Sequence, residues 1–299
     1  MSSPHQELHA YSAEKRPNPW LAILNGIVRY PVLIARNRVL VANFANREFH
    51  ARFKGSVIGP GWALIHPLFL FGLYYLVFGV MFKRDAAEDA GRLPHWYTVY
   101  MFAGILAWTV FAETANRCCH LLLENGNLIK KVAFPSELLP LPLVVVNLLV
   151  FAAGLVAFYG IGWFVSGILP GINLLFLPLV MAVQLVFTLG IGLFLACLTV
   201  FLRDTGQIFP IVCQGWFFAT PIFWTPRMLG DSWTVLGPIL TCNPMYHVIG
   251  AHRIVLGVEP GGTMDVLAAC GHAFVPAFVT FMLGYAFFKA YQHRFADEV

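Results

Sequence analysis

Six stretches of this 299-residue chain are apolar over lengths that match or approach a membrane crossing: 62–82, 96–115, 138–166, 174–202, 207–224 and 266–288. That feature leaves few possible folds. Inside hydrocarbon each backbone N–H and C=O must be satisfied within the segment or within a closed barrel. Barrel strands read as short segments of alternating polarity, whereas these runs are continuous. The expectation is a single all-α integral membrane domain with six transmembrane helices. Composition agrees: 59% of residues are hydrophobic and 11% charged, against roughly 25% charged in a soluble domain. The N-terminus is polar, without a secretory h-region and cleavage site, so no signal peptide is expected.

Six crossings put both termini on one side, and basic residues say which. One face gathers Lys15, Arg16, Arg29, Arg36, Arg38, Arg47, Arg52, Lys54, Arg117, Lys130, Lys131, Arg203, Lys289 and Arg294. The other holds Lys83, Arg84, Arg92, Arg227 and Arg253. The first face is therefore expected to be cytoplasmic, in a multi-pass protein of the cytoplasmic (inner) membrane. Residues 1–31 read as a cytoplasmic tail and 289–299 as another, with the six-span bundle at 60–288. Between them, 32–54 mixes apolar residues with Arg36, Arg38, Arg47 and Arg52. It reads as a helix starting at Tyr30-Pro31 and lying in the membrane interface, its arginines near anionic headgroups. The forty residues around 225–265 are apolar but too short on either side of their prolines to span. Pro238 and Asn243-Pro244 are expected to divide them into short re-entrant helices at the outer mouth.

Chemistry-bearing motifs are sparse. There is no G-x-x-x-x-G-K-[ST] loop, H-E-x-x-H or G-x-S-x-G, so neither ATP binding of that kind nor those hydrolytic chemistries are expected. The net charge of +4 does not point to nucleic acid. The six cysteines form no CxxC pair and read as small core hydrophobes. Glu113 stands four residues before Arg117, which suggests a helix-end ion pair or a polar lining. Asn147 and Gln184 read as hydrogen-bond partners between helices. With so few internal charges, an ion-driven carrier is disfavoured, and the energy source is sought elsewhere. Trp108, Phe111, Trp216, Phe217, Phe218 and Trp224 gather in the second and fifth runs. With Glu113 they are the candidates for lining a conduit, because aromatic faces suit the apolar C–H faces of sugar rings.

Four stretches, taken in order, resemble polysaccharide-exporting ABC permeases: "REFHARFKGSVIGPGWALIHPLF", "AGILAWTVFAETANRCCHLLLENGNLIKKVAFPSELLP", "FLRDTGQIFPIVCQGWFFATPIFW" and "NPMYHVIGAHRIVLG". Pro60-Gly61 departs from the larger apolar residues usual in that family and is expected to sharpen the bend into the membrane. The resemblance implies a homodimer that exports a lipid-linked polysaccharide such as O-antigen. It also implies two copies of a separate ATPase subunit, which bind the ATP and Mg, while this chain holds no cofactor. It assigns the interfacial helix to Arg47, Arg52 and Lys54, and the gate helices to Asn243, Pro244, Tyr246 and Arg253. Coupling to the ATPase falls to Asn127, Leu128, Ile129, Lys130, Lys131, Phe134 and Pro135. Physically, Asn125 suits a cap for a helix over 126–133, with Leu128, Ile129 and Val132 on an apolar side. Phe134-Pro135 ends it, and Ser136 is placed to cap the third span. A small lipophilic drug or lipid is the alternative cargo. A membrane enzyme acting on lipid-linked sugars would need charged clusters, of which Arg203-Asp204 is the nearest approach.

Overall fold

Long apolar runs with few breakers become helices because a helix satisfies its own backbone. The computed structural model, which describes residues 19–81, 96–131 and 135–298, shows helices and turns and no strand among them. Helix α1 covers Pro19–Arg36 and α2 covers Arg38–Phe53. The helix expected to begin at Tyr30-Pro31 thus starts earlier. Pro31 lies inside α1, and the break falls at Asn37, whose side-chain amide donates to the Leu33 carbonyl at 2.9 Å. A turn follows in which Gly55 and Gly59 take φ of +80° and +59°, a region open to glycine. The Ser56 hydroxyl accepts from Trp62 Nε1 at 2.9 Å and from the Gly59 N–H at 3.2 Å, holding the chain as it turns up into the bundle.

Helix α3, Trp62–Tyr74, then widens into π-type turns over Tyr75–Met81. Helix α4 is Trp96–Glu124, α5 Gly126–Lys131, α6 Pro140–Ser166 and α7 Leu177–Phe201. Helix α8 is Thr205–Ala219, α9 Trp233–Thr241, α10 Pro244–Val255, α11 Thr263–Tyr291 and α12 Phe295–Glu298. Helix α4 is central: 83% of its apolar window is buried, against 11% for the first span. Asn147 and Gln184 do bridge helices: Asn147 Nδ2 donates to Thr114 Oγ1 at 2.9 Å, and Gln184 Nε2 to the Ala107 carbonyl at 2.7 Å. Five cysteines are buried, Cys242 is exposed, and none of the six is in a disulfide.

Among the described residues, five helical segments are long and apolar enough to cross a bilayer: Gly59–Val77, Trp96–Glu124, Ser136–Ser166, Ile172–Phe201 and Thr263–Arg294. The expected crossing at 207–224 is not among them. Its helix, α8, has 15 residues, a rise of about 22 Å against a hydrocarbon core of about 30 Å. The chain leaves the helix at Thr220, with ψ of 140°, and turns at Pro221-Ile222. At one end Gly206 lies against the His120 imidazole. Farther along, Trp216 packs on Trp108 and Phe111. Beyond the helix, the carbonyls of Phe223 and Trp224 accept from Tyr97 and Tyr100. The segment thus follows α4 from His120 to Tyr97. Likewise Pro238 sits inside α9 rather than dividing the later segment, and the break falls at Cys242-Asn243.

Candidate functional site

At the basic end of the bundle, α4 runs past the membrane-length apolar window and turns at Asn125 into α5. The cap is made by backbone: the Asn125 carbonyl accepts from the Leu128 N–H at 2.9 Å and the Ile129 N–H at 3.2 Å. Its side chain does not cap α5. Instead Oδ1 accepts from Arg47 at 3.1 Å and Nδ2 donates to the Leu121 carbonyl. Leu128 and Ile129 are half-buried and pack against a cluster containing Tyr30, Leu121, Leu122 and Leu138. Asn127 and Lys130 are exposed. So the apolar side of α5 faces its own bundle, and a polar side faces out. Lys131 ends the helix, Phe134 lies outside the described residues, and Pro135 precedes a 3₁₀ turn over Ser136–Leu138.

That turn is tied down on two sides. Ser136 does not cap α6; its hydroxyl accepts from Gln292 Nε2 at 3.0 Å. The buried Glu137 carboxylate pairs with Lys289 near the end of α11, and its backbone carbonyl accepts from the Tyr30 hydroxyl at 2.9 Å. The residues after α5 are therefore joined to α11 and to α1. Nothing in the sequence around "PSEL" pointed to Glu137 as a tie, since its partner lies more than a hundred residues away.

The interfacial arginines belong to a ladder between α2 and α4. Arg47 reaches Asn125, Arg117 reaches Glu48 at 2.9 Å and Glu124 at 3.2 Å, and Arg52 reaches Glu113 at 2.7 Å. Arg52 also donates to Asn147 Oδ1 on α6 at 2.9 Å. The expected Glu113–Arg117 pair does not form; each residue takes a partner from α2 instead. Lys54 is exposed at the end of α2. Between α2, α4, α6 and the start of α8 lies an open cleft of about 680 Å³.

The aromatic candidates separate into two groups. Trp108 and Phe111 are buried, and with Phe187 and Trp216 they form a tight cluster whose ring centroids are 5.1 to 6.1 Å apart. Phe217 is half-buried beside Trp108. Phe218 is exposed, and the half-buried Trp224 donates its indole N–H to the Phe218 carbonyl at 2.9 Å. Gln207 and Gln214 on α8 are exposed as well. They share the open face with Phe218 and were missed in the sequence, where the surrounding apolar residues hide them.

At the opposite end, α10 is fastened to α4 and α8. Asn243 caps α10 by accepting from the Met245 N–H at 3.0 Å. The same oxygen accepts from Trp216 Nε1 at 3.0 Å, and Nδ2 donates to Thr220 Oγ1 at 2.8 Å. Pro244 opens the helix, where its missing N–H costs nothing, and Tyr246 lies half-buried beside Trp233. Arg253 is buried, with its guanidinium 3.3 Å from the centre of the Tyr100 ring. It donates to the Tyr100 carbonyl at 3.2 Å and the Ile222 carbonyl at 3.4 Å. Gly104 leaves the room: a Cβ there would come within 2.8 Å of the guanidinium. A desolvated cation on an aromatic face contributes about 2 kcal/mol. Burial pushes the neighbouring His252 down to about 4, so its imidazole is neutral at pH 7. Asn243→Ala should lower the melting temperature of the purified protein by removing the cap, worth about 1 kcal/mol, and by stranding the Trp216 N–H. Asn243→Asp, which keeps the acceptor and loses the donor to Thr220, should melt between the two. Equal melting of all three proteins would refute that role.

The sequence model of the ABC-2 type transporter family matches residues 40–256. An O-antigen export system permease protein RfbA of Klebsiella pneumoniae is 27% identical over 266 residues, covering 86% of this chain and 94% of the relative. A protein of the same name from Myxococcus xanthus is 28% identical over 218 residues, covering 73% and 80%.

Proposed function

This chain belongs to the ABC-2 type transporter family, and from that premise we propose that it is the membrane subunit of an exporter carrying a lipid-linked polysaccharide, such as O-antigen, out across the cytoplasmic membrane. The observation that carries the cargo is the length of the match: permeases named for O-antigen export align over 94% of the Klebsiella relative. Two copies of the chain form the conduit, with both termini in the cytoplasm. Support for six crossings comes from the course of 205–224 along α4, since the helix and the turn after it together run from His120 to Tyr97. Helices α3 and α8 are the members left most open in one copy, and the exposed Phe218, Gln207 and Gln214 suit a path for sugar rings.

A separate ATPase subunit, two copies per transporter, binds ATP and Mg and docks on α5. Its contact is with the outward polar side, Asn127 and Lys130, and with Lys131, Phe134 and Pro135 beyond. Helices α9 and α10 act as the outer gate. Deleting the gene tests the cargo: lipid-linked glycan should accumulate inside the cell, and surface glycan should be lost. Normal surface glycan, with reduced efflux of a lipophilic drug or lipid, would overturn the polysaccharide reading in favour of the small-cargo exporter.

A further inference from the structure

The cleft at the basic end is lined by Glu48, Arg52, Glu113, Arg117, His120 and Asn147 over a floor that includes Ala51 and Val146. Its volume, about 680 Å³, lies in the range of about 300–1,000 Å³ typical of small-ligand sites. Four secondary elements converge on it.

Its charges cancel. Both guanidinium groups are already committed to carboxylates, Arg52 to Glu113 at 2.7 Å and Arg117 to Glu48 at 2.9 Å. An anion entering the cleft would meet a carboxylate beside each guanidinium. Yet hydrogen-bonding capacity is left over. A guanidinium has five N–H donors and a carboxylate two acceptor oxygens. In these pairs Glu113 uses Oε2 and Glu48 uses Oε1, while their second oxygens accept no hydrogen bond from the described residues. His120 adds a ring with a donor and an acceptor. A neutral surface of interleaved donors and acceptors over small apolar groups matches an uncharged polyhydroxylated ring.

The neighbouring slot argues against a lipid. It shares Glu113 and Asn147 with the cleft and runs between α3, α4 and α6 past Pro67, Phe102 and Phe151. Its free space is about 30 Å³, room for about two water molecules. A headgroup in the cleft would have no slot there for its acyl chain.

We propose that this cleft is a saccharide-binding alcove at the cytoplasmic mouth, holding neutral sugar units of the glycan before they enter the conduit. The inference rests on the polysaccharide reading above and adds the place and the chemistry of recognition. Ala51→Trp tests it, because Ala51 is exposed on the last turn of α2 and its replacement fills the cleft without entering the core. Surface glycan in Ala51→Trp cells should fall by about tenfold or more through lost positioning, with lipid-linked glycan accumulating inside, while Ala42→Trp, exposed on α2 and outside the cleft, exports normally. In parallel, the full-length permease in detergent should bind the delipidated glycan, released by mild acid, saturably. Inorganic phosphate should not compete, and Glu113→Gln with His120→Leu should weaken binding by about tenfold or more. Wild-type export by Ala51→Trp overturns the alcove, as does competition by phosphate or by short-chain phospholipid. If surface glycan is normal when the whole gene is deleted, the polysaccharide reading itself fails, which is a separate result.

Discussion

Gly284→Val should leave little folded protein. Helices α7 and α11 approach so closely at Gly190 and Gly284 that a side chain at 284 would run into the Gly190 carbonyl oxygen and lie 2.9 Å from its carbon. At position 190 the obstacle is also backbone, with the Phe281 Cα 2.6 Å away. Backbone cannot rotate aside as a side chain can, so the two helices would have to part along their length. Overpacking in a core ordinarily costs about 1–3 kcal/mol; a clash between main chains belongs at the top of that range or above it. Small residues are what allow membrane helices such close approach. The expected result is a collapse of the monodisperse peak on size exclusion and a melting temperature far below that of the parent. Gly284→Ala should show a smaller loss in the same direction. A Gly284→Val protein that purifies and melts like the parent would mean that the two helices are not held at that distance.

The second large effect concerns transmission rather than folding. Glu137 is buried, 7% of its side chain exposed, and pairs with Lys289, which is 31% exposed. Glu137→Lys should bring two cations together at the junction that follows α5. Breaking a fully buried pair costs about 3–5 kcal/mol; the partial exposure of Lys289 lowers the expectation to about 2–3 kcal/mol. Export should fall by about tenfold or more, since 1.4 kcal/mol is a factor of ten. Lys289→Glu should do the same. The combined reversal, Glu137→Lys with Lys289→Glu, should recover most of the loss, because geometry and charge balance are both restored. Wild-type export by both single reversals would show that the tie carries no motion between α5 and α11. Failure of the double reversal, with both singles inactive, would assign the loss to packing instead of charge.

Much of this fold is legible in the sequence where one physical rule dominates. The runs at 138–166 and 174–202 become α6 and α7 nearly to their ends, because only a helix can house that much uninterrupted apolar chain. Asn243-Pro244 opens α10 as a cap followed by proline should. Where rules compete, the reading slips. Pro31 reads as a helix start and Pro238 as a breaker, yet both sit inside helices. The run at 207–224 suggests a full helical span, but the helix stops at Ala219, because the carbonyls that follow find donors in Tyr97 and Tyr100.

The site shows the same division. Arg47, Arg52 and Arg253 are legible as important because charges are rare in this chain. Their partners are not. Arg52 with Glu113, Arg253 with Tyr100 and Lys289 with Glu137 join residues far apart in sequence, and local spacing instead favoured Glu113 with Arg117. Trp108 and Phe111 illustrate a second limit. In a helix apolar on every side, periodicity does not separate a residue facing lipid or conduit from one facing other helices, and these two face inward. The direction of α5 is a third case. Leu128 and Ile129 were legible as an apolar stripe, but only the folded chain shows that they cover the bundle itself.

The brevity of α8 bears on how the protein is made. On the six-crossing reading, a 15-residue helix carrying two glutamines and a proline has too little greasy length to leave the translocon for lipid unaided. Its natural receptor is α4, already synthesised, whose Tyr97 and Tyr100 hydroxyls donate to the carbonyls of Phe223 and Trp224 beyond the turn. On that reading insertion is expected to be ordered, α4 before α8, and a lesion in α4 that spares its own insertion should surface as a misplaced α8 in a cysteine-accessibility topology assay.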